Sequence, residues 1–383
     1  MEMRRYKDTN NFVSLLGFGA MRLPRISEEG QEIDVPKAME MVDYAIAHGV
    51  NYFDTAYGYH GGLSEPFLRE ALSRYPREKW LLADKLPLWL LEKEEDVLRI
   101  FREQLERCGV RYFDHYLLHN ITQQSLPAVE RFRVYEQLIA LKKNGAIRRL
   151  GFSLHDVPEV LEEVVRRYDW DFAQIQLNYL DWDEQDAKRQ YRILTERGIP
   201  VIVMEPLRGG TLTALSGEAE SILREARADA GQASWGLRFA GSLPNVLTVL
   251  SGMTEPEQVR DNVATMENFA PLSNDEYDVL ERVVAASRLD RAIPCTACRY
   301  CMDCPSGVDI PKVFGAYNAY LSGYKGMTNS WGDAVNFSKD YRMIGTDKQA
   351  HHCIACGVCV SSCPQRIDIP GQMATIAAFA AGL

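Results

Sequence analysis

Short apolar or β-branched runs recur through the first 250 residues. They are LLGFGA (15–20), NYFDTA (51–56), WLLADK (80–85), FDHYLLH (113–119), RRLGFSL (148–154), FAQIQLNY (172–179), PVIVMEP (200–206) and VLTVLSG (246–252). Their starts lie 24 to 46 residues apart, the length of a strand–helix–strand unit. Between them the apolar positions take helical spacing, as in Val35–His48 and Glu92–Cys108. Gly49 and Gly109 follow directly and read as helix stops. Eight strands alternating with helices over about 250 residues predict an α/β fold, a (β/α)8 barrel. The runner-up, an open doubly wound sheet, needs a glycine-rich fingerprint opening a helix after the first strand. LLGFGAMRLP has no such fingerprint, and no helical pattern follows it.

Cysteine usage changes abruptly after the barrel pattern ends. Of nine cysteines, only Cys108 precedes residue 290. That step predicts two domains, 1–289 and 290–383. The other eight form two runs, Cys295, Cys298, Cys301, Cys304 and Cys353, Cys356, Cys359, Cys363. Three cysteines at successive two-residue gaps, then a fourth followed by proline, make the bacterial ferredoxin pattern. The second run fits it as it stands, and the first is one residue short before Cys304. Zinc, with four ligands per ion, is the competing reading, but neither run resembles two separated C-x-x-C knuckles. Disulfides do not suit a chain whose start shows no secretion signal. In two-cluster ferredoxins the fourth cysteine of each run ligates the other cluster. This pairs Cys295, Cys298 and Cys301 with Cys363, and Cys353, Cys356 and Cys359 with Cys304. The 48 residues between the runs read as helices around Lys312–Ser322 and Asp333–Tyr341, giving a smaller, mainly helical, ferredoxin-like domain. His351 and His352 read as exposed or hydrogen-bonding neighbours rather than ligands, and Cys108 as a buried helix end.

Composition narrows the partners. Charged residues make up 25% and hydrophobic ones 46%, and the formal net charge is −10. With no basic block to offset that charge, nucleic-acid and anionic-membrane partners are excluded. No run approaches the ~18 apolar residues of a membrane span. The start, MEMRRYKDTN, runs into polar residues rather than an apolar stretch. The expected location is the cytoplasm.

In a barrel the catalytic groups sit at the C-terminal ends of the strands. Those positions here are Asp54, Lys85, His119, Ser153, Gln176, Asn178, Glu205 and Ser251. Asp, Lys and His on three adjacent strands suit acid catalysis at a carbonyl. A tyrosine holds its proton to about pH 10. A neighbouring ammonium favours the phenolate, an aspartate keeps that ammonium charged, and a histidine orients the carbonyl oxygen. The tyrosine belongs in the loop after the second strand, DTAYGYHGG, which offers Tyr57 and Tyr59.

On NYFDTAYGY, LLADK and DHYLLH, supported by GFSLHD, QIQLNY and PLRGG, residues 1–290 resemble an aldo-keto reductase. The resemblance implies a catalytic tetrad of Asp54, Tyr59, Lys85 and His119, with Tyr59 as proton donor. It implies NAD(P)H, with Ser153 and Gln176 on the nicotinamide carboxamide and Leu154 where the family has Asn. Met204 stands where the family stacks an aromatic side chain on the nicotinamide. Pro206, Leu207 and Gly209 follow it on the cofactor path. Beyond the last strand, Ser251, Gly252, Met253, Gln258 and Asn262 form the adenosine-phosphate segment. Gly252 and Gln258 replace the family's cationic pair, leaving NAD against NADP open. The amides of Gly252, Met253 and Thr254 can still hold a phosphate at a helix N-terminus. The whole chain resembles aldo-keto reductases fused to a ferredoxin-like domain carrying two 4Fe-4S clusters and CxxCRYCMPCP, with Asp303 in place of the proline.

Three functions fit these features. The first is reduction of a small-molecule carbonyl, or oxidation of the matching alcohol, with the clusters structural or electron-relaying. The second is an FMN-bearing barrel exchanging electrons between a substrate and an external redox protein through the clusters, because hydride carries two electrons and a cluster one. The third is a redox-sensing regulatory protein.

Overall fold

The computed structural model describes residues 1–6, 11–27, 30–215, 217–287, 292–321 and 330–383, and only the backbone of 330–334. The chain divides into two compact units: Met1–Pro206 with Ala233–Leu272, and Leu207–Gln232 with Ser273–Leu383. The domain boundary expected near residue 290 falls on 288–291, outside the described residues.

The first unit is a closed barrel of eight parallel strands. We number them β1 (Leu16–Gly19), β2 (Tyr52–Asp54), β3 (Leu81–Pro87), β4 (Phe113–Ile121), β5 (Ile147–Leu154), β6 (Phe172–Gln176), β7 (Val201–Met204) and β8 (Val246–Gly252). Each pairs with the next, and β8 returns to β1. All eight apolar runs thus become strands, because strands of a parallel sheet covered on both faces are near-continuously hydrophobic. A short antiparallel pair, Met3–Arg5 on Phe12–Ser14, precedes them. Inside the barrel, space is tight enough to select glycine: a Cβ at Gly151 of β5 would lie 2.6 Å from the Phe172 ring.

Element ends differ from the sequence pattern where side chains capture the backbone. The helix expected from Glu92 begins at Asp96. The Asp96 carboxylate accepts the amides of Glu92 and Lys93, both at 3.1 Å, and holds them in a turn. The run through Tyr179 ends as a strand at Gln176, because Asn178 Oδ1 accepts the amides of Leu180 and Asp181 at 3.1 and 2.8 Å. Gly109 stops its helix as expected, at φ +64°.

One polar group sits deep in the barrel. His115 of β4 is 2% exposed, lies edge-on to Tyr52 and Phe172 at 5.0 and 5.1 Å, and neither ring nitrogen has a hydrogen-bond partner among the described residues. Burial, aided by Arg149, holds its pKa down at about 3 against an ordinary 6.5. The folded chain therefore keeps His115 neutral while the unfolded chain protonates it. Stability is complete above pH 6.5 and falls by ~1.4 kcal/mol per pH unit on acidification toward pH 3. We expect His115→Phe to remove one proton's worth of that slope, measured as urea midpoints across this pH range.

The second unit is helical, and residues 292–383 contain no strand among the described residues. Helices Ile310–Leu321, Ser330–Met343 and Ile369–Ala381 share a core that includes Val313, Phe314, Phe337, Met373 and Ile376. The first begins two residues before the expected Lys312, Asp309 accepting the Lys312 amide at 3.3 Å, and its expected last residue, Ser322, lies outside the described residues. Helices Gly217–Ala226 and Asn274–Ser287 of the same unit pack on each other. No helix among the described residues is long and apolar enough to cross a membrane.

Candidate active site

Asp54 ends β2, Lys85 lies within β3 and His119 within β4. Lys85 is fully buried, a position that an ammonium tolerates only when paired. Its Nζ donates to Asp54 Oδ1 and to the Thr55 carbonyl, both at 2.6 Å. Burial pushes the Asp54 carboxyl up while the Lys85 charge pulls it back down. The same Nζ lies 4.7 Å from the centroid of the Tyr59 ring. His119 meets that ring edge-on, with centroids 6.1 Å apart at 83°, and Trp89 lies against His119 at 5.0 Å.

Local backbone decides between the two tyrosines. Tyr59 opens the turn Tyr59–Gly62, in which His60 and Gly61 are left-handed at φ 52° and 62°. His60 Nε2 accepts the Leu23 amide at 3.1 Å and ties this turn to the segment after β1. Tyr57 turns away. Its hydroxyl donates to Glu103 at 3.1 Å, and Arg107 stacks on its ring at 4.2 Å.

His119 is buried, and its Nδ1 has no hydrogen-bond partner among the described residues. Burial, then Lys85, then His155 hold its pKa well below the ordinary value. His155 follows β5 and is itself held at about 4, by burial and by Lys85. Both rings are therefore neutral near pH 7.

A second buried layer fixes the Lys85 backbone. Gln104 Nε2 donates to the Lys85 carbonyl at 3.0 Å and to Glu65 Oε1 at 3.1 Å, and receives Tyr116 Oη–H on its Oε1 at 2.6 Å. Asp84 Oδ1 accepts the Lys85 amide at 2.8 Å. Burial, and then the neighbouring Glu65, push the Asp84 carboxyl well up. Cys108, buried as expected, donates to Asp84 Oδ2 at 3.5 Å.

The residues expected along a cofactor are mostly engaged with other groups of the protein. Ser153 Oγ accepts the Asn120 amide at 2.9 Å. Gln176 Nε2 donates to Asp181 at 2.7 Å, and Gln174 Nε2 lies 3.7 Å from the Met204 sulfur. Asn262 Nδ2 donates to Ser251 Oγ at 3.0 Å. Gln258 caps its own helix, its Oε1 accepting the amides of Thr254 and Glu255 at 2.8 and 3.2 Å. Met253 is buried. Gly252 faces the Arg22 side chain, which a Cβ would meet at 3.0 Å, and Arg22 reaches Glu205 at 3.3 Å. Pro206 closes the first stretch of the barrel unit, whereas Leu207 and Gly209 belong to the second unit. There Gly209, at φ +65°, packs so closely on the Thr296 carbonyl that a side chain would collide with it.

In the second unit the two cysteine runs exchange their last members. Cys295, Cys298, Cys301 and Cys363 line one cavity, and Cys304, Cys353, Cys356 and Cys359 line another. Both runs use left-handed residues at equivalent places, Ala297 and Arg299 in the first, Ala355 and Gly357 in the second, at φ 53°, 66°, 53° and 79°. Such turns aim backbone N–H groups into an anion-holding concavity. Four cysteines around each cavity, set on turns of this kind, fit iron–sulfur clusters. His351 and His352 are exposed, lie 4.2 Å from each other and line neither cavity.

The aldo/keto reductase family profile matches residues 15–285. The chain belongs to the aldo/keto reductase family. A 4Fe-4S dicluster domain matches residues 294–367 of this reductase. It is 29% identical over 305 residues to L-galactose dehydrogenase of Arabidopsis thaliana, covering 73% of this chain and 93% of the relative. It is 25% identical over 324 residues to an NADH-specific methylglyoxal reductase of Escherichia coli, covering 72% and 98%. Among solved structures, the aldo-keto reductase AKR11C1 of Bacillus halodurans in its holo form superposes with a TM-score of 0.61 at 26% identity, covering 74% and 96%. As a family member with these relatives, the chain is an oxidoreductase, and the family acts on small-molecule carbonyl compounds with NAD(P)H.

Three features of this reductase's site escape the sequence reading. His155 and Trp89 stand one and two residues beyond the strand ends, where a titratable or aromatic side chain is a weak signal. The Glu65–Gln104 layer spans 39 residues and leaves no local pattern.

Proposed function

We propose that this reductase interconverts a small-molecule carbonyl compound and its alcohol with a nicotinamide dinucleotide, Tyr59 handling the proton. The observation that carries this reading is the buried Lys85–Asp54 pair at 2.6 Å beneath the Tyr59 ring. A bound nicotinamide supplies the hydride. Tyr59 gives its proton to the substrate oxygen, and the Lys85 charge stabilises the phenolate left behind. Asp54 and the Thr55 carbonyl hold the Lys85 side chain in place. Neutral His119 donates a hydrogen bond to the substrate oxygen without competing as an acid. In the oxidative direction the Tyr59 phenolate takes the alcohol proton. Ser153, Gln176 and Met204 would receive the nicotinamide end.

Gln258 presents an acceptor oxygen to its own helix, where a 2′-phosphate would require donors, which supports NADH over NADPH. The test is turnover of a panel of aldehydes and ketones with each dinucleotide, followed by product analysis. We expect alcohol formation with a lower KM for NADH. Absence of turnover with either nucleotide overturns the proposal.

The eight cysteines would hold two 4Fe-4S clusters, one on Cys295, Cys298, Cys301 and Cys363, the other on Cys304, Cys353, Cys356 and Cys359. Clusters supply one-electron chemistry when bound. The cavities shared by these sets support the crossed assignment. Cys304→Ser is expected to deplete the cluster held mainly by the second run, lowering iron from about eight to about four per chain. Spectroscopic loss confined to the first-run cluster contradicts it.

A further inference from the structure

The two cysteine cradles share a backbone but not a charge. The residue after the second cysteine is left-handed in both runs, Arg299 at φ 66° in one and Gly357 at φ 79° in the other. Glycine takes that conformation without strain, whereas any other L-residue pays for it. An arginine kept there has to contribute something else.

Arg299 lines the cavity framed by Cys295, Cys298, Cys301 and Cys363, and among the described residues it is the one charged side chain that does so. The cavity framed by the other four cysteines is lined by no charged side chain among the described residues. Arg299 Nε is buried with no hydrogen-bond partner among the described residues, a costly state for a guanidinium N–H. An acceptor in the cavity, such as a cluster or thiolate sulfur, completes it.

On the two-cluster reading above, we propose that Arg299 sets the two clusters apart by raising the reduction potential of the one on Cys295, Cys298, Cys301 and Cys363. Reduction adds one negative charge to a cluster. A cation at the cavity wall stabilises that charge, and an N–H directed at sulfur acts in the same direction. The second cradle, with Gly357, receives neither contribution. An electron entering this unit is thereby biased toward the first-run cluster.

The test is a potentiometric titration followed by electron paramagnetic resonance on the anaerobically purified full-length chain, with iron and sulfide quantified. Signals are assigned to each cluster with the Cys304→Ser protein. We expect Arg299→Gln to lower the equilibrium constant for reducing the first-run cluster about tenfold, or ~59 mV for one electron, and to leave the other in place. Arg299→Lys keeps the charge and recovers part of the shift. Gly357→Arg puts the cation at the matching position and raises the second cluster by a similar factor, which decides the matter even where Arg299→Gln loses iron. Unchanged potentials in Arg299→Gln at full iron, or in Gly357→Arg, overturn the proposal. A wild-type chain with a single cluster instead overturns the two-cluster reading on which it rests.

Discussion

Tyr59→Phe is expected to lower kcat for carbonyl reduction by about 10²–10⁴-fold, the contribution of a positioned proton donor, with little change in dinucleotide affinity. The phenylalanine ring keeps the packing on His119 and the cation beneath it. Only the proton is lost, so the effect belongs to chemistry rather than folding. Tyr57→Phe is the internal control. Its hydroxyl bonds Glu103, away from Lys85, and its loss should change kcat less than about threefold, a surface hydrogen bond contributing on the order of 0.5 kcal/mol. Stopped-flow measurement of nucleotide oxidation with saturating substrate separates the two variants. Equal losses in both contradict the assignment of Tyr59.

Lys85→Met has a comparable effect on rate and a larger one on stability. Methionine fills a similar volume, but it leaves the buried Asp54 carboxylate and the Thr55 carbonyl without their donor. Breaking a buried pair from one side costs about 3–5 kcal/mol. We expect Lys85→Met to lower the thermal midpoint of the barrel. Asp54→Leu in the same chain should restore most of that midpoint, because removing both charges leaves nothing buried and unpaired. Activity should not return, since the cation next to Tyr59 is still missing. Recovery of both together would assign the pair to folding alone.

Much of this architecture is legible before any coordinates, for a physical reason. A barrel strand is enclosed on both faces, so each appears as a short apolar run, and the polar residue that closes the run is conspicuous, even where the strand itself continues two residues beyond it, as at Lys85 and His119. Asp54, Lys85 and His119 are visible on that basis. Ferredoxin spacing likewise anticipates the exchange of Cys304 and Cys363. Features governed by side chain to backbone bonds stay hidden. Nothing in EKEEDV announces that Asp96 will hold Glu92 and Lys93 outside the helix. By residue type alone DTAYGYHGG offers two tyrosines; only the family resemblance points to Tyr59, and the left-handed turn at His60 follows it in the fold. Gln258 looks like a vacant phosphate position in sequence, yet in the fold it caps its own helix. Arg299 looks like any residue of a cysteine loop until its backbone is set beside that of Gly357.

The central claim is that hydride passes between a nicotinamide and a carbon centre while Tyr59 moves the proton. It is tested most directly by reduced nicotinamide dinucleotide carrying deuterium at the transferring position. Product is analysed by mass spectrometry for the wild-type and Tyr59→Phe proteins, and released flavin is quantified in the same preparations. The account predicts one deuterium on the carbinol carbon of the wild-type product, a strongly slowed but equally labelled reaction in the variant, and no stoichiometric flavin. Unlabelled alcohol with near-stoichiometric FMN would contradict it and make the barrel a flavin-based electron-transfer enzyme.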